Sequence, residues 1–219
     1  MKCSHPGEVD ADWVFGYGSL IWNPDFDFEQ AHLARAWGYH RAFCVRSTRY
    51  RGTPERPGLV LGLDRGGSCI GVAYRLESRS RSAAIERLFD REIPDPAASI
   101  YLARQIVVEL PDGERVQALT FIADRSRGSY QRLSDSEILE RLHACHGQRG
   151  PNREYAINTW HALRQRGVHD ARLLRYVRQL LDDAEASNRS PSIDNADAPQ
   201  PRPSIDDENG PERTPLAQA

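Results

Sequence analysis

Lysine is nearly absent from this 219-residue chain: Lys2 stands alone among 29 basic residues, and all the others are arginines. No apolar run approaches the roughly 20 residues that a membrane helix needs, so no membrane association is expected. The opening stretch Met1–Asp12 has Lys2 but no apolar segment behind it, and it does not read as a secretory signal. The cytoplasm is therefore the expected location. Cys3, Cys44, Cys69 and Cys145 form no Cys-x-x-Cys pair and are widely scattered, which argues against a disulfide framework and for buried, reduced thiols. His143-Ala144-Cys145-His146 has metal-ligand residue types, but no fourth ligand lies close in sequence. A helix with two polar faces explains it better, and no metal is expected.

Charge is distributed unevenly. The net charge is −2, yet the chain through Leu181 carries 26 basic against 22 acidic residues, and the rest carries three against nine. The modest excess on the body suits an anionic small substrate. It lacks the concentrated basic face that nucleic acid requires, so no nucleic-acid partner is expected. From about Ala184 the sequence has six prolines, no aromatic residue and excess acid. Such a segment cannot bury enough apolar area to offset its ordering entropy. The expected organisation is a flexible N-terminus over 1–12, one domain over 13–183, and a disordered acidic, proline-rich tail over 184–219. Pro191-Ser192-Ile193-Asp194 recurs in that tail as Pro203-Ser204-Ile205-Asp206. No exposed heptad is evident, and a monomer is expected.

Within the domain, Trp13–Ser19 reads as a strand running into a glycine turn. Two strands are expected around Leu33–Trp37 and Arg41–Arg46. Another pair, Leu59–Leu63 and Cys69–Leu76, flanks Asp64-Arg65-Gly66-Gly67, which reads as a hairpin turn. A helical period follows from Ser82 to Ile93, stopped by Pro94. Ile100–Leu110 and Arg115–Ala123 form a hairpin across Pro111-Asp112-Gly113. Thereafter the chain is helical. Ser134-x-x-Glu137 is a capping box, Asn152 can cap a helix ending at Gly167, and Asp170 can cap a third. On that third helix Leu173, Leu174, Val177, Leu180 and Leu181 make an apolar stripe. Strands first and helices later is the pattern of an α+β domain.

Three features can carry chemistry. In Phe15-Gly16-Tyr17-Gly18-Ser19-Leu20-Ile21, glycines let backbone N–H groups approach a ligand, forming a nest for a carboxylate or an oxyanion. There is no third glycine for a dinucleotide fingerprint, no Gly-Lys-Ser/Thr for a P-loop, and no Gly-x-Ser-x-Gly elbow. Taken alone, the segment is also compatible with an ordinary strand-end turn. Glu92 continues the helical series Ile85, Leu88, Phe89 at i, i+3, i+4, i+7, whereas Glu86, Arg87, Asp90 and Arg91 point elsewhere. Desolvation and the negative end of the helix dipole would both raise its pKa toward the range useful for acid–base catalysis. A glutamate that swings into solvent or pairs with an arginine is the plainer alternative. Finally, Arg46, Arg49 and Arg51 interleave with hydroxyls in Arg46–Pro54 and suit substrate carboxylates, unless this is a solvated turn. Tyr130 is a further candidate pocket residue.

The order of these features is more specific than any one of them. Trp13-Val14-Phe15-Gly16-Tyr17-Gly18-Ser19-Leu20-Ile21-Trp22, Tyr50-Arg51-Gly52-Thr53-Pro54, Gly71-Val72-Ala73-Tyr74-Arg75, Arg91-Glu92 and Gly150-Pro151-Asn152-Arg153-Glu154-Tyr155 together resemble the ChaC-like γ-glutamylcyclotransferases. The resemblance runs in collinear order from Trp13 to Leu181. It implies a small mixed β-barrel with flanking helices. The implied activity is cleavage of glutathione to 5-oxoproline and cysteinylglycine, without a cofactor. By this resemblance Gly16, Tyr17, Gly18, Ser19, Leu20 and Ile21 would bind the γ-glutamyl group and Glu92 would accept the proton; Arg51 and Tyr130 remain substrate-binding candidates from their own loops. Other γ-glutamyl amines as substrates, or a non-catalytic γ-glutamyl-binding module, are the alternatives. The chain departs from the family where Pro94-Asp95-Pro96-Ala97-Ala98-Ser99 makes a longer, proline-rich link after Glu92.

Overall fold

A computed structural model of the chain describes residues 2–3, 5–96 and 99–189, with side chains described for 5–96 and 99–183. Its strands are β1 (Lys2–Cys3), β2 (Trp13–Gly16), β3 (Phe28–Ser47), β4 (Gly58–Leu76), β5 (Tyr101–Glu109) and β6 (Arg115–Ala123). Two short strands, β7 (His146–Gly147) and β8 (Gly150–Pro151), form a separate hairpin. The helices are α1 (Arg81–Glu92), α2 (Asp135–Ala144), α3 (Asn152–Gln165) and α4 (Ala171–Arg189). Strands β5, β3, β4, β2 and β6 pair in that order, and β6 pairs back onto β5, closing the sheet into a five-stranded barrel. Most pairings are antiparallel, but β2 runs parallel to β6, so the barrel is mixed as expected. Closure removes the open sheet edges that would otherwise invite aggregation.

The expected hairpin at Asp64–Gly67 is corrected. Leu59–Leu63 and Cys69–Leu76 belong to one strand, β4, which pairs along its length with an equally continuous β3. The two strands expected within Ala31–Ser47 likewise merge into one. The physical reason lies in three glycines. Gly38 (φ 80°) faces Gly66 and Gly67 (φ 103° and 72°) across a register shift between Trp37 and Tyr39. Left-handed φ values at glycine cost little, so these positions absorb a bulge while the partner strand continues on both sides. The β5–β6 hairpin forms as expected, with Gly113 at φ 89° in its turn.

Phe15, Tyr74, Leu59, Leu63, Leu119 and Phe121 are fully buried, and the same core includes Leu88 and Phe89 of α1. Ser134 closes the expected capping box with Glu137, a feature worth about 1 kcal/mol. Asp170 caps α4 by accepting from the Leu173 amide at 2.9 Å. On α4 the buried stripe is Leu173, Tyr176, Val177 and Leu180, whereas Leu181 is exposed. Asn152 does not cap α3. It lies inside the helix behind Pro151, and its side chain accepts from Leu59 N–H at 2.7 Å and donates to Leu59 C=O at 2.6 Å. This fully buried amide thus replaces a strand neighbour for β4.

Within 1–12, Lys2 and Cys3 pair with Arg104 and Ala103, and the Asp12 carbonyl accepts from Leu76. Helix α4 continues to Arg189, and the remainder of the tail over 184–219 lies outside the described residues. Cys44, Cys69 and Cys145 are buried free thiols, and burial pushes Cys44 up to about 12. His143 pairs with Asp183 rather than with His146. Among the described residues no helix is long and apolar enough to cross a membrane.

Candidate active site

Strand β2 ends at Gly16, and the chain turns at once into a single 3-10 turn, Ser19–Ile21, capped by Gly18. The turn is tight. A Cβ on Gly16 would stand 2.9 Å from that of Leu20, and one on Gly18 would stand 3.1 Å from the Tyr155 hydroxyl. Ile21 N–H bonds back to Gly18, but the amides of Gly18, Ser19 and Leu20 find no acceptor among the described residues. Buried Arg41 donates from Nε to the Tyr17 carbonyl at 2.5 Å, from Nη2 to Ile70, and from Nη1 to Asp170 at 2.5 Å. Because the peptide is planar and trans, fixing the Tyr17 carbonyl directs the Gly18 N–H the opposite way. Among the described residues the Gly18, Ser19 and Leu20 amides are thus unpaired donors on an anchored turn, of the kind that can hold anionic oxygen.

Glu92 is the last residue of α1. Its stripe mates Ile85, Leu88 and Phe89 are buried, as the helical spacing requires. The carboxylate is 17 % exposed and pairs with Arg91 at 3.1 Å. Burial pushes its pKa above the ordinary glutamate value, against the opposing pull of Arg91 and Arg149. Arg91 is the clearest correction to the helical-wheel reading. Its side chain is only 9 % exposed, and besides Glu92 it donates to Ser19 Oγ at 3.0 Å and Asn23 C=O at 2.8 Å. One guanidinium thus bolts the glutamate to the glycine turn.

Glu92 and Ser19 open into a cavity of about 530 Å³, also lined by Arg46, Arg49, Arg51, Arg149, Tyr101 and Tyr155. Buried Arg51 reaches Pro151 C=O at 3.1 Å and lies 5.5 Å from the Tyr155 ring. Tyr101 and Tyr155 hold the two sides of one residue. Tyr101 donates to Leu61 C=O at 2.9 Å, and Tyr155 accepts from Leu61 N–H at 3.2 Å. The Tyr155 O–H is left without an acceptor among the described residues. Burial, reinforced by the Glu92 charge, keeps both phenols protonated and raises their pKa values.

The sequence-predicted residues thus divide. Glu92, Ser19 and Arg51 meet in the cavity, while Gly16 packs closely on Leu20 and Gly18 on Tyr155. Tyr17, Leu20 and Ile21 are buried supports: Tyr17 donates to Phe121 C=O at 2.6 Å, and the carbonyls of Leu20 and Ile21 accept from Tyr74. Tyr130 does not join them. Its hydroxyl donates to Asp64 at 2.9 Å, and it lines a different cavity of about 320 Å³ with Arg125 and Tyr176. Arg91, Arg149, Tyr101 and Tyr155 were missed. Arg91 and Tyr155 had a signal, since both lie in the segments that carry the family resemblance, whereas Arg149 and Tyr101 had none.

A mixed barrel with a cavity that five arginines line around a partly buried carboxylate has the chemistry to hold an anionic small molecule. The comparisons with known proteins narrow that class. The family of ChaC-like proteins matches residues 12–182. A glutathione-specific γ-glutamylcyclotransferase of Escherichia coli K12 is 36 % identical over 159 residues, 72 % of this chain and 68 % of that protein. The human glutathione-specific γ-glutamylcyclotransferase 1 is 32 % identical over 157 residues, 69 % of each chain. The crystal structure of a yeast γ-glutamyl cyclotransferase specific to glutathione superposes with a TM-score of 0.70 at 22 % identity, covering 80 % of this chain and 97 % of that one. The chain belongs to the ChaC-like protein family.

Proposed function

We propose that this protein cleaves glutathione by intramolecular γ-glutamyl transfer, releasing 5-oxoproline and cysteinylglycine. The observation that carries the reading is the partly desolvated Glu92 carboxylate facing the same cavity as Ser19 of the glycine turn. The substrate supplies its own nucleophile, since its α-amine attacks its γ-carbonyl to close a five-membered lactam. Glu92 takes a proton from the α-ammonium, which frees the lone pair for attack. The amides around Gly18 and Ser19 receive the oxyanion, each well-placed donor contributing about 3–4 kcal/mol. In the tetrahedral intermediate Glu92 gives its proton to the cysteine nitrogen, the C–N bond breaks, and the carboxylate takes the second proton from the new lactam nitrogen and passes it to the departing amine, which leaves as an ammonium. Holding the folded-over conformer supplies up to ~7–11 kcal/mol in favourable intramolecular cases.

The arginines fit the carboxylates of such a substrate, and the Tyr155 O–H offers a further donor. A module that only bound γ-glutamyl groups would be served by an ordinary ionised carboxylate facing the α-ammonium, and would not need the desolvation that raises the Glu92 pKa. The cytoplasm supplies the reducing conditions that the free thiols suit, and we assign the protein there as a monomer. The catalytic unit in this reading is 13–183. The test is incubation of the purified protein with glutathione at pH 6 to 9, following 5-oxoproline and cysteinylglycine together. Equimolar appearance of both is expected, and the appearance of neither refutes the reading.

A further inference from the structure

The arginines of the cavity differ in how they are employed. Arg91 spends its fork on Glu92, Ser19 and Asn23, and Arg51 is buried against Pro151 and Tyr155. Arg149 is held by other means. It sits at the tip of the β7–β8 hairpin, where its amide donates to Tyr50 C=O at 2.9 Å and the Gln148 amide donates to Arg49 C=O at 2.9 Å. Gly147 lets the two backbones meet, since a Cβ there would fall 2.5–2.6 Å from Tyr50, Arg51 and Gly52. The Arg149 guanidinium carbon lies 4.0 Å from the Tyr50 ring centroid, and that of Arg49 lies 5.3 Å from the same ring. Arg49 is further tied to Gln148 at 3.1 Å.

Stacking orients a guanidinium without consuming its N–H groups. Among the described residues the Arg149 fork makes no hydrogen bond to a carboxylate or carbonyl, although its charge acts on Glu92 and the residue is firmly mounted. Its exposure matters too. Glu92, Arg91 and Arg51 lie inside the cavity, whereas Arg49 and Arg149 are exposed at its rim. Arg149 thus stands at the exposed rim of the same cavity that Glu92 and Ser19 line, where the far end of a bound peptide can reach it. Resting on the cyclotransferase reading, the geometry points to Arg149, seated on Tyr50, as the specificity residue for the substrate's distal carboxylate.

The test compares glutathione with its glycine-carboxyl ethyl ester, which keeps the reacting centre and removes the distal charge. The readout is the ratio of their kcat/KM values in wild type, Arg149→Gln and Arg149→Lys. Any effect of the lost charge on Glu92 falls on both substrates and cancels in this ratio. The wild type should prefer glutathione, Arg149→Gln should reduce the preference about 10-fold, and Arg149→Lys should fall between, because it keeps the charge but loses the fork. An unchanged ratio in Arg149→Gln, or no preference in wild type, overturns the inference while leaving the cyclotransferase reading intact. Absence of 5-oxoproline from wild type and glutathione would overturn both.

Discussion

Glu92→Gln separates what the carboxylate does for chemistry from what it costs the fold. The substitution is isosteric and can still accept from Arg91, whose contacts to Ser19 and Asn23 do not depend on residue 92. The cavity, the amide cradle and the arginines therefore remain, and glutathione binding should persist. What disappears is the group asked both to take the ammonium proton and to return it. General acid–base catalysis contributes on the order of 10²–10⁴-fold, so kcat should fall by about that factor with little change in affinity. Release of 5-oxoproline gives the rate, and calorimetric titration with glutathione gives the binding. A variant that keeps kcat within about tenfold of wild type would remove Glu92 from the mechanism.

The same variant makes a thermodynamic prediction of opposite sign. Burial raises the folded-state pKa of Glu92 above its unperturbed value of 4.5. Below that value the group is protonated in both states and stability is unaffected. As pH rises, the unfolded chain releases the proton first, so it binds fewer protons than the native state and stability declines until the folded-state pKa is passed. Glutamine carries no such penalty. The melting temperature of Glu92→Gln minus that of wild type should therefore be smallest near pH 4 and grow toward neutral pH, at about 2–4 °C per kcal/mol for a domain of this size. A difference that is flat with pH, or that shrinks on approach to neutrality, would refute the assignment of a raised pKa.

Two further perturbations probe the supports of the site. Arg91→Met removes a guanidinium that holds the Glu92 pKa down, leaving Arg149 as the opposing cation and Tyr17, Tyr101 and Tyr155 as neutral neighbours. The acidic limb of the kcat/KM profile should move to higher pH and kcat should fall about 10-fold or more, whereas a limb that moves to lower pH would contradict the arrangement. Asn152→Ala strands both peptide groups of Leu59, at about 1–3 kcal/mol each. Its melting temperature should drop by about 4 °C or more in thermal unfolding, and an unchanged value would show that Asn152 is not the structural amide described.

Much of the barrel was legible because its strands alternate in the usual way, but the joins were not. Asp64-Arg65-Gly66-Gly67 has the composition of a hairpin, and only the presence of β3 along both flanking segments makes it a bulge. Asn152 has the composition of a cap, and only a strand 93 residues earlier claims its amide. Local chemistry fixes what a residue is able to do; the partner that arrives from elsewhere decides which option is taken. The same rule divides the site. Helical spacing put Glu92 on the buried side of α1, and the structure has its side chain 17 % exposed there. Tyr130 was misplaced because Asp64, far away in sequence, holds its hydroxyl outside the cavity.

Arg91 shows why a helical wheel assigns short side chains better than long ones. The wheel gives the direction in which Cβ leaves the helix, and for Glu92 that direction nearly settles the location of the carboxylate. Arginine carries its charge several bonds further, and its stem can lie along an apolar surface while the head turns back. At the C-terminal end of α1 that reach brings the guanidinium to Ser19, Asn23 and Glu92 at once. The consequence is functional. Five arginines line the cavity against Glu92 and Asp95, so an unopposed field of that kind would hold Glu92 permanently ionised and make it a weak base. Desolvation works the other way, and the raised pKa shows that it prevails. A carboxylate whose pKa burial raises against these cations is a stronger base than an ordinary glutamate, which is the direction the proposed proton shuttle needs.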